Sequence, residues 1–226
     1  MKQLILPLDL PPTFDGRDFI VSGSNEEAYL WLIRWPNWPH RILSIYGDEG
    51  CGKTHLSHIW QCYSDSRHLT GAEFNECPLE TLLEETRPFL IEDAHLIQKD
   101  EKFFHLYNHI IQSKSGLLLL SKTAPAHWDT SLPDLRSRLN SIPAFKIHAP
   151  DEELLSQVIK KQFSDLQLNV DDGVVAYLLK YVERSFESAR AWVDILNRRA
   201  LTRQRNITIS LVRDCLQSQD LGDNYQ

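Results

Sequence analysis

The sequence predicts an α/β fold, a parallel sheet flanked by helices, followed by a small all-α domain. Short apolar runs alternate with segments of helical periodicity through the first part of the chain, which is the pattern of βαβ units. A glycine-rich loop joins the first of these runs to a helix, the usual joint of a sheet that handles phosphate. Beyond about residue 149 only helical signals remain.

Taken in order, residues 1–24 read as a tail and entry loop, because Pro7, Pro11, Pro12, Gly16 and Gly23 interrupt any regular repeat. Residues 25–34 carry helical spacing in Ala28, Trp31 and Leu32, stopped by Pro36 and Pro39. Residues 42–46 form a short β-rich run ending at Gly47, and 53–63 return to helical periodicity. Strands are expected at 67–69 and 88–91, a helix at 102–113, and further strands at 117–121 and 144–148. Asp151 can cap a helix whose first turn holds Glu152 and Glu153, both favourable at the positive end of a helix dipole. Leu154, Leu155, Val158 and Ile159 make its apolar face. Val174, Val175, Leu178, Leu179 and Val182 make a second, started by Asp171 or Asp172, with later helices at 186–202 and 210–218. The division is 1–24 tail, 25–149 α/β domain, 150–218 helical domain and 219–226 tail.

Composition narrows the function classes. Hydrophobic residues are 42% and charged residues 24% of the 226, which suits a folded domain. No apolar run approaches membrane-spanning length, and the proline-broken N-terminus lacks the form of a secretory signal, so a cytoplasmic location without membrane attachment is expected. The net charge of −7 argues against a protein that grips a phosphate backbone by itself, and favours a protein partner. Cys51, Cys62, Cys77 and Cys215 form no CxxC pair and read as free thiols. His105 and His109 have metal-ligand spacing on a helix but no acidic or cysteine partner frames them.

The strongest chemical signal is Gly47-Asp48-Glu49-Gly50-Cys51-Gly52-Lys53-Thr54, which fits GxxxxGK[ST] between a strand and a helix. Glycines let backbone N–H groups turn inward where a Cβ would block a phosphate. Lys53 supplies a point charge, Thr54 a Mg²⁺ ligand, and the helix dipole favours the anion. The expected ligands are ADP or ATP with Mg²⁺. The apolar run 89–91 ends in Glu92 and Asp93, a carboxylate for Mg²⁺ and a neighbour able to orient an attacking water. Ser121, at the end of the next apolar run, is a candidate sensor of the terminal phosphate.

The continuation Lys53-Thr54-His55-Leu56 resembles the DnaA branch of AAA+ P-loop proteins. So do Phe19-Ile20-Val21 with Ser24-Asn25-Glu26-Glu27-Ala28-Tyr29, like that branch's entry segment near the adenine, and the run from Leu132 to Leu139. The resemblance, to the Hda/DnaA-like AAA+ family, extends from residue 3 to about 217. It implies an AAA+ sheet domain with a helical lid, His55 beside the nucleotide, and Arg138 as an arginine finger acting in trans, next to Arg136. Gln3, Leu4, Leu6, Pro7 and Leu8 are similar to the peptide with which members dock on the β sliding clamp. The alternative for those residues, an apolar tail folded back on its own domain, loses weight beside the DnaA-like core.

The resemblance thus implies a negative regulator of replication initiation that binds the clamp and stimulates ATP hydrolysis on DnaA, its own ATPase being weak. With the sequence ending after the lid, no sequence-specific DNA binding is expected; self-association stays open. The alternative is a stand-alone AAA+ ATPase serving as a helicase-loading or recruiting adaptor. Two positions depart from the family pattern. Glu92 stands where Asp is usual, and the lid position expected to hold a nucleotide-touching arginine carries Glu187. Arg190 is the first candidate to replace it and Arg184 the second. Arg198, Arg199, Arg203 and Arg205 form either a docking surface or a solvated helix face.

Overall fold

Five short strands, β1 (Ile42–Tyr46), β2 (Arg67–Thr70), β3 (Phe89–Glu92), β4 (Leu117–Ser121) and β5 (Ala144–Lys146), form one parallel sheet in the order β2-β3-β4-β1-β5. The computed structural model describes residues 19–203 and 205–220. Alternation along β4 explains why both faces of the sheet are covered. Leu117 and Leu119 enter one apolar cluster with Phe103, Leu106 and Ile110. Leu118 and Leu120 enter the other with Leu56, Ile59 and Trp60.

The second cluster is closed by α1 (Glu26–Leu32) and α2 (Lys53–Ser64), with Trp38 stacked on Trp60 at 5.4 Å between ring centres. The first is closed by α5 (Asp100–Ser113) and by three short helices absent from the sequence expectation. Of these, α3 (Gly71–Glu76) starts in a capping box, where Thr70 and Glu73 satisfy each other's backbone N–H groups, and it buries little more than Phe74. Its neighbour α4 (Leu79–Leu83) is a single turn or so. The third, α6 (Pro133–Ser141), has Pro at its start and only Leu135 and Leu139 buried. Helices this short carry no sustained apolar repeat, so periodicity misses them.

Two boundaries are also corrected. β5 ends at Lys146 rather than residue 148, because the Ile147 N–H still reaches the Tyr46 carbonyl (2.8 Å) while that of His148 turns to the Ser24 carbonyl (3.0 Å). α1 stops at Leu32 instead of residue 34, its end tightened by the amides of Arg34 and Trp35 on the carbonyls of Trp31 and Leu32.

The helical lid comprises α7 (Glu152–Asp165), α8 (Asp172–Leu178), α9 (Phe186–Arg203) and α10 (Ile209–Asp220). Asp151 caps α7 by accepting from the Leu154 N–H at 2.7 Å. Asp171, not Asp172, caps α8, accepting from the Gly173 N–H at 2.7 Å. Leu155, Ile159, Phe163, Val175, Trp192 and Val212 belong to the apolar core that holds the four helices together. Among the described residues, no helix is long and apolar enough to cross a membrane.

Candidate nucleotide-binding site

The sheet order brings the carboxyl ends of β1, β3 and β4 to one edge, where ligands bind in open α/β sheets. Tyr46 lies in register with Ser121, and the Gly47 N–H donates to the Ser121 carbonyl at 3.2 Å. A Cβ on Gly47 would collide with the Ile147 carbonyl, so only glycine lets the chain leave β1 here. The loop ends at Gly52, whose φ of +102° makes it a left-handed N-cap for α2. That helix has no acid in its first turn, so none of its own first-turn side chains opposes an anion at its open N–H groups.

Lys53 sits inside this turn. Its ammonium donates to the carbonyls of Gly47 (2.8 Å) and Asp48 (2.7 Å) and lies 3.8 Å from the Cys51 sulfur. Burial pushes the Cys51 thiol up, against the pull of the Lys53 charge. The thiol therefore stays protonated and packs as a small apolar group. Thr54 is exposed at the start of α2. His55 meets Phe19 edge-on at 5.2 Å, and Phe19 stacks on Tyr29 at 5.4 Å. This brings the entry segment against the helix that follows the loop. A small cleft lined by Val21, Ser22, Gly23, Asp151 and Gln157 separates the entry segment from α7.

Of the strand-end acids, Glu92 is held on both sides. The Ser57 hydroxyl donates to one carboxylate oxygen at 3.2 Å, and the His68 Nε2 stands 3.5 Å from the other. Asp93 is exposed, with left-handed backbone at φ 49°, and starts a short 3-10 turn, Ala94–Leu96. Within that turn burial pushes the His95 imidazole down; Asp93 opposes this, while Lys122 and Lys53 reinforce it. All three charges are thus within electrostatic reach of one imidazole.

The Ser121 side chain is fully buried, and its hydroxyl donates to the Thr123 carbonyl at 2.7 Å. Lys122 is the residue of this strand end that reaches the loop, its ammonium 3.3 Å from a Glu49 carboxylate oxygen. The lid meets the loop at the start of α9. The Phe186 N–H donates to the Gly50 carbonyl at 3.2 Å. Arg184 and Arg190 lie on either side of this contact and are both exposed.

On α6 the two arginines differ. One guanidinium nitrogen of Arg136 donates to the carbonyls of Trp128 (2.6 Å) and Ala126 (3.2 Å). Arg138 is exposed, its guanidinium 5.5 Å from the centre of the Tyr107 ring. Gln3, Leu4, Leu6, Pro7 and Leu8 lie outside the described residues.

Ser57, His68, His95 and Phe186 are residues of this site that the sequence reading did not single out. Ser57 was open to it, lying one helical turn past Thr54 and so on the same face of α2. His68 and His95 depend on strand neighbours and a left-handed turn that no local pattern announces. Chemically, the loop offers a cation and inward N–H groups to a polyphosphate, and Thr54, Glu92 and Asp93 offer oxygen ligands to a hard cation.

A family model described as "Hda, lid domain" matches residues 151–216. The chain is 26% identical over 241 residues to the chromosomal replication initiator protein DnaA of Caldanaerobacter subterraneus subsp. tengcongensis, covering 95% of this chain and 54% of that protein. It is 28% identical over 234 residues to DnaA of Thermoanaerobacter pseudethanolicus, covering 92% and 52% respectively. It therefore spans about half the length of these curated relatives. Among solved structures, domain III of the Thermotoga maritima replication initiation protein DnaA superposes with a TM-score of 0.77 at 21% identity, covering 92% of this chain and 98% of that one. AMPPCP-bound DnaA from Aquifex aeolicus gives 0.70 at 19% identity, over 80% of this chain and 64% of that one. The chain is thus similar to the Hda model over its lid, to DnaA in sequence over most of its length, and to domain III of DnaA in fold.

Proposed function

We propose that this chain is an adenine-nucleotide-binding negative regulator of chromosome replication initiation, acting in the cytoplasm on DnaA. The observation that carries the reading is the contrast on α6: Arg136 is engaged by backbone carbonyls, while Arg138, two residues on, presents an exposed guanidinium. An arginine that a partner is to receive must be exposed in this way.

The loop fits a nucleotide, since its glycines leave the backbone bare where phosphate must approach and Lys53 is already within the turn. Bound ADP or ATP with Mg²⁺ would supply the negative charge and metal that tie core and lid together. Lys53 and the first amides of α2 hold the phosphates, Thr54 and Glu92 offer oxygens to the metal, and Asp93 orients water. His55 lies on the adenine side with Phe19. Arg190, with Arg184 as the alternative, is the lid cation, and Ser121 braces the strand end beside the loop. The tail residues Gln3, Leu4, Leu6, Pro7 and Leu8 dock on the β sliding clamp and raise the local concentration of the chain beside DnaA. Arg138 then enters the nucleotide site of DnaA and stabilises charge developing on the transferred phosphoryl, an effect worth about 10³–10⁵ in rate for such fingers.

The test is hydrolysis of DnaA-bound ATP with and without this chain and clamp-loaded DNA. Stimulation by the wild type that disappears in Arg138→Ala supports the reading; full stimulation by that variant removes the finger assignment. Robust turnover by the isolated chain, lost in Asp93→Asn, would instead identify a stand-alone ATPase.

A further inference from the structure

We infer that Phe186 is the positioning residue through which the lid senses the phosphate-binding loop. The inference rests on the loop being a nucleotide site, as proposed above, and adds how that site is read.

Three observations converge on Phe186. Its N–H donates to the Gly50 carbonyl at 3.2 Å, one of the few bonds that join lid backbone to core backbone. Its ring lies against Gly52: a Cβ built there would stand 3.1 Å and 3.5 Å from two atoms on the ring edge. Its ring also packs against the apolar lid core that contains Val182, Ala189 and Trp192. One rigid side chain therefore touches the loop on one side and the lid interior on the other.

A Cβ on Gly50 would lie 3.0 Å from the Ser185 Cβ and 4.0 Å from that of Glu187, so the residues facing the loop are a serine, an aromatic and an acid. Gly50 and Gly52 both have positive φ, at +70° and +102°, and their conformation sets where the loop amides point. A phosphate drawing those amides inward must move the Gly50 carbonyl and the Gly52 surface, and both rest on Phe186. Aromatic packing against bare backbone is stiff, with only two side-chain torsions, so such a shift passes to α9 as a tilt of its first turn. The Glu187 carboxylate cannot grip phosphate, and the Phe186 contact joins the loop to the first turn of α9.

The experiment uses the full chain with ADP–Mg²⁺ and AMPPCP–Mg²⁺ as probes. It follows amide hydrogen exchange over residues 185–193 alongside calorimetric affinity. Wild type should show nucleotide-dependent protection of this segment. Phe186→Ala should still bind nucleotide, within about tenfold of wild type, but lose that protection. If the alanine variant does not fold, Phe186→Leu carries the test, since it retains apolar volume and loses the flat ring; it too should lose protection. Protection that survives removal of the ring overturns the inference. No nucleotide binding by the wild type, by contrast, would refute the underlying reading of the loop.

Discussion

Arg136 binds the carbonyl oxygen of Trp128 at 2.6 Å, and so ties α6 to the turn that follows β4. The same nitrogen reaches the Ala126 carbonyl at 3.2 Å. Removing it leaves two acceptors without their donor, a change that costs about 1–3 kcal/mol when such groups are out of water. Arg136→Ala is expected to lower the denaturant midpoint by a corresponding amount. Arg138→Ala removes only an exposed cation over the Tyr107 ring and should alter stability by no more than about 1 kcal/mol. Urea melts of the two variants decide the point; equal destabilisation would mean that Arg138 also has a structural role.

The second prediction concerns Glu92. Its carboxylate is held by the Ser57 hydroxyl and faced by His68, which fixes a longer side chain where a shorter acid is usual. Glu92→Gln retains an acceptor for Ser57 and should fold normally. Its nucleotide affinity should lose about tenfold of the gain produced by Mg²⁺, with little change in the presence of EDTA. A loss that is the same with and without the metal would show that Glu92 acts on the fold and not on the cation.

A third prediction follows from Glu85. Hydrogen bonds from the Arg87 guanidinium, at 2.8 Å and 3.1 Å, are the main reason its carboxyl is held down at about 2. The folded-state value lies below the ordinary 4.5, so the stabilisation is complete above that pH and is lost as pH falls toward 2. Arg87→Ala should flatten the fall in stability between those limits. The backbone N–H groups of Thr86 and of residue 87, each 3.1 Å from the same carboxylate, keep part of the effect. An unchanged acid limb would assign the pH dependence to other carboxylates.

The tail prediction is independent of the folded domain. Changing Gln3, Leu6 and Leu8 together to Ala should abolish capture of the β clamp in a pull-down while leaving nucleotide binding intact. Undiminished capture would take the docking role away from these residues.

The positions of the strands along the chain and the loop between β1 and α2 were legible in the sequence because strand and helix periods differ and the loop's glycines are obligatory, whereas the order of strands in the sheet was not. The buried strands β1, β3 and β4 were visible as short apolar segments, while β2 and β5, each with at most one buried residue, carried a weaker signal. What escaped were α3, α4 and α6, in which one or two buried residues such as Phe74 or Leu135 suffice and a capping box or a proline starts the helix. At the site, Lys53 and Thr54 followed from the motif, but side-chain direction did not. Whether Ser121 turns toward its own loop, and whether Lys122 reaches Glu49, depends on the backbone after β4. The lid contact was harder still: Phe186 meets Gly50 and Gly52 across more than a hundred residues of chain, a pairing no local pattern encodes.

Nucleotide recognition depends most on the loop from Gly47 to Thr54 binding a polyphosphate, and titration calorimetry of the purified chain with ADP and ATP at several Mg²⁺ concentrations tests this directly. Saturable binding that Lys53→Ala weakens by about a hundredfold or more, the effect of losing a charge-assisted contact worth roughly 3 kcal/mol, is the predicted result. The absence of binding to either nucleotide at any Mg²⁺ concentration, or binding indifferent to Lys53, would contradict it.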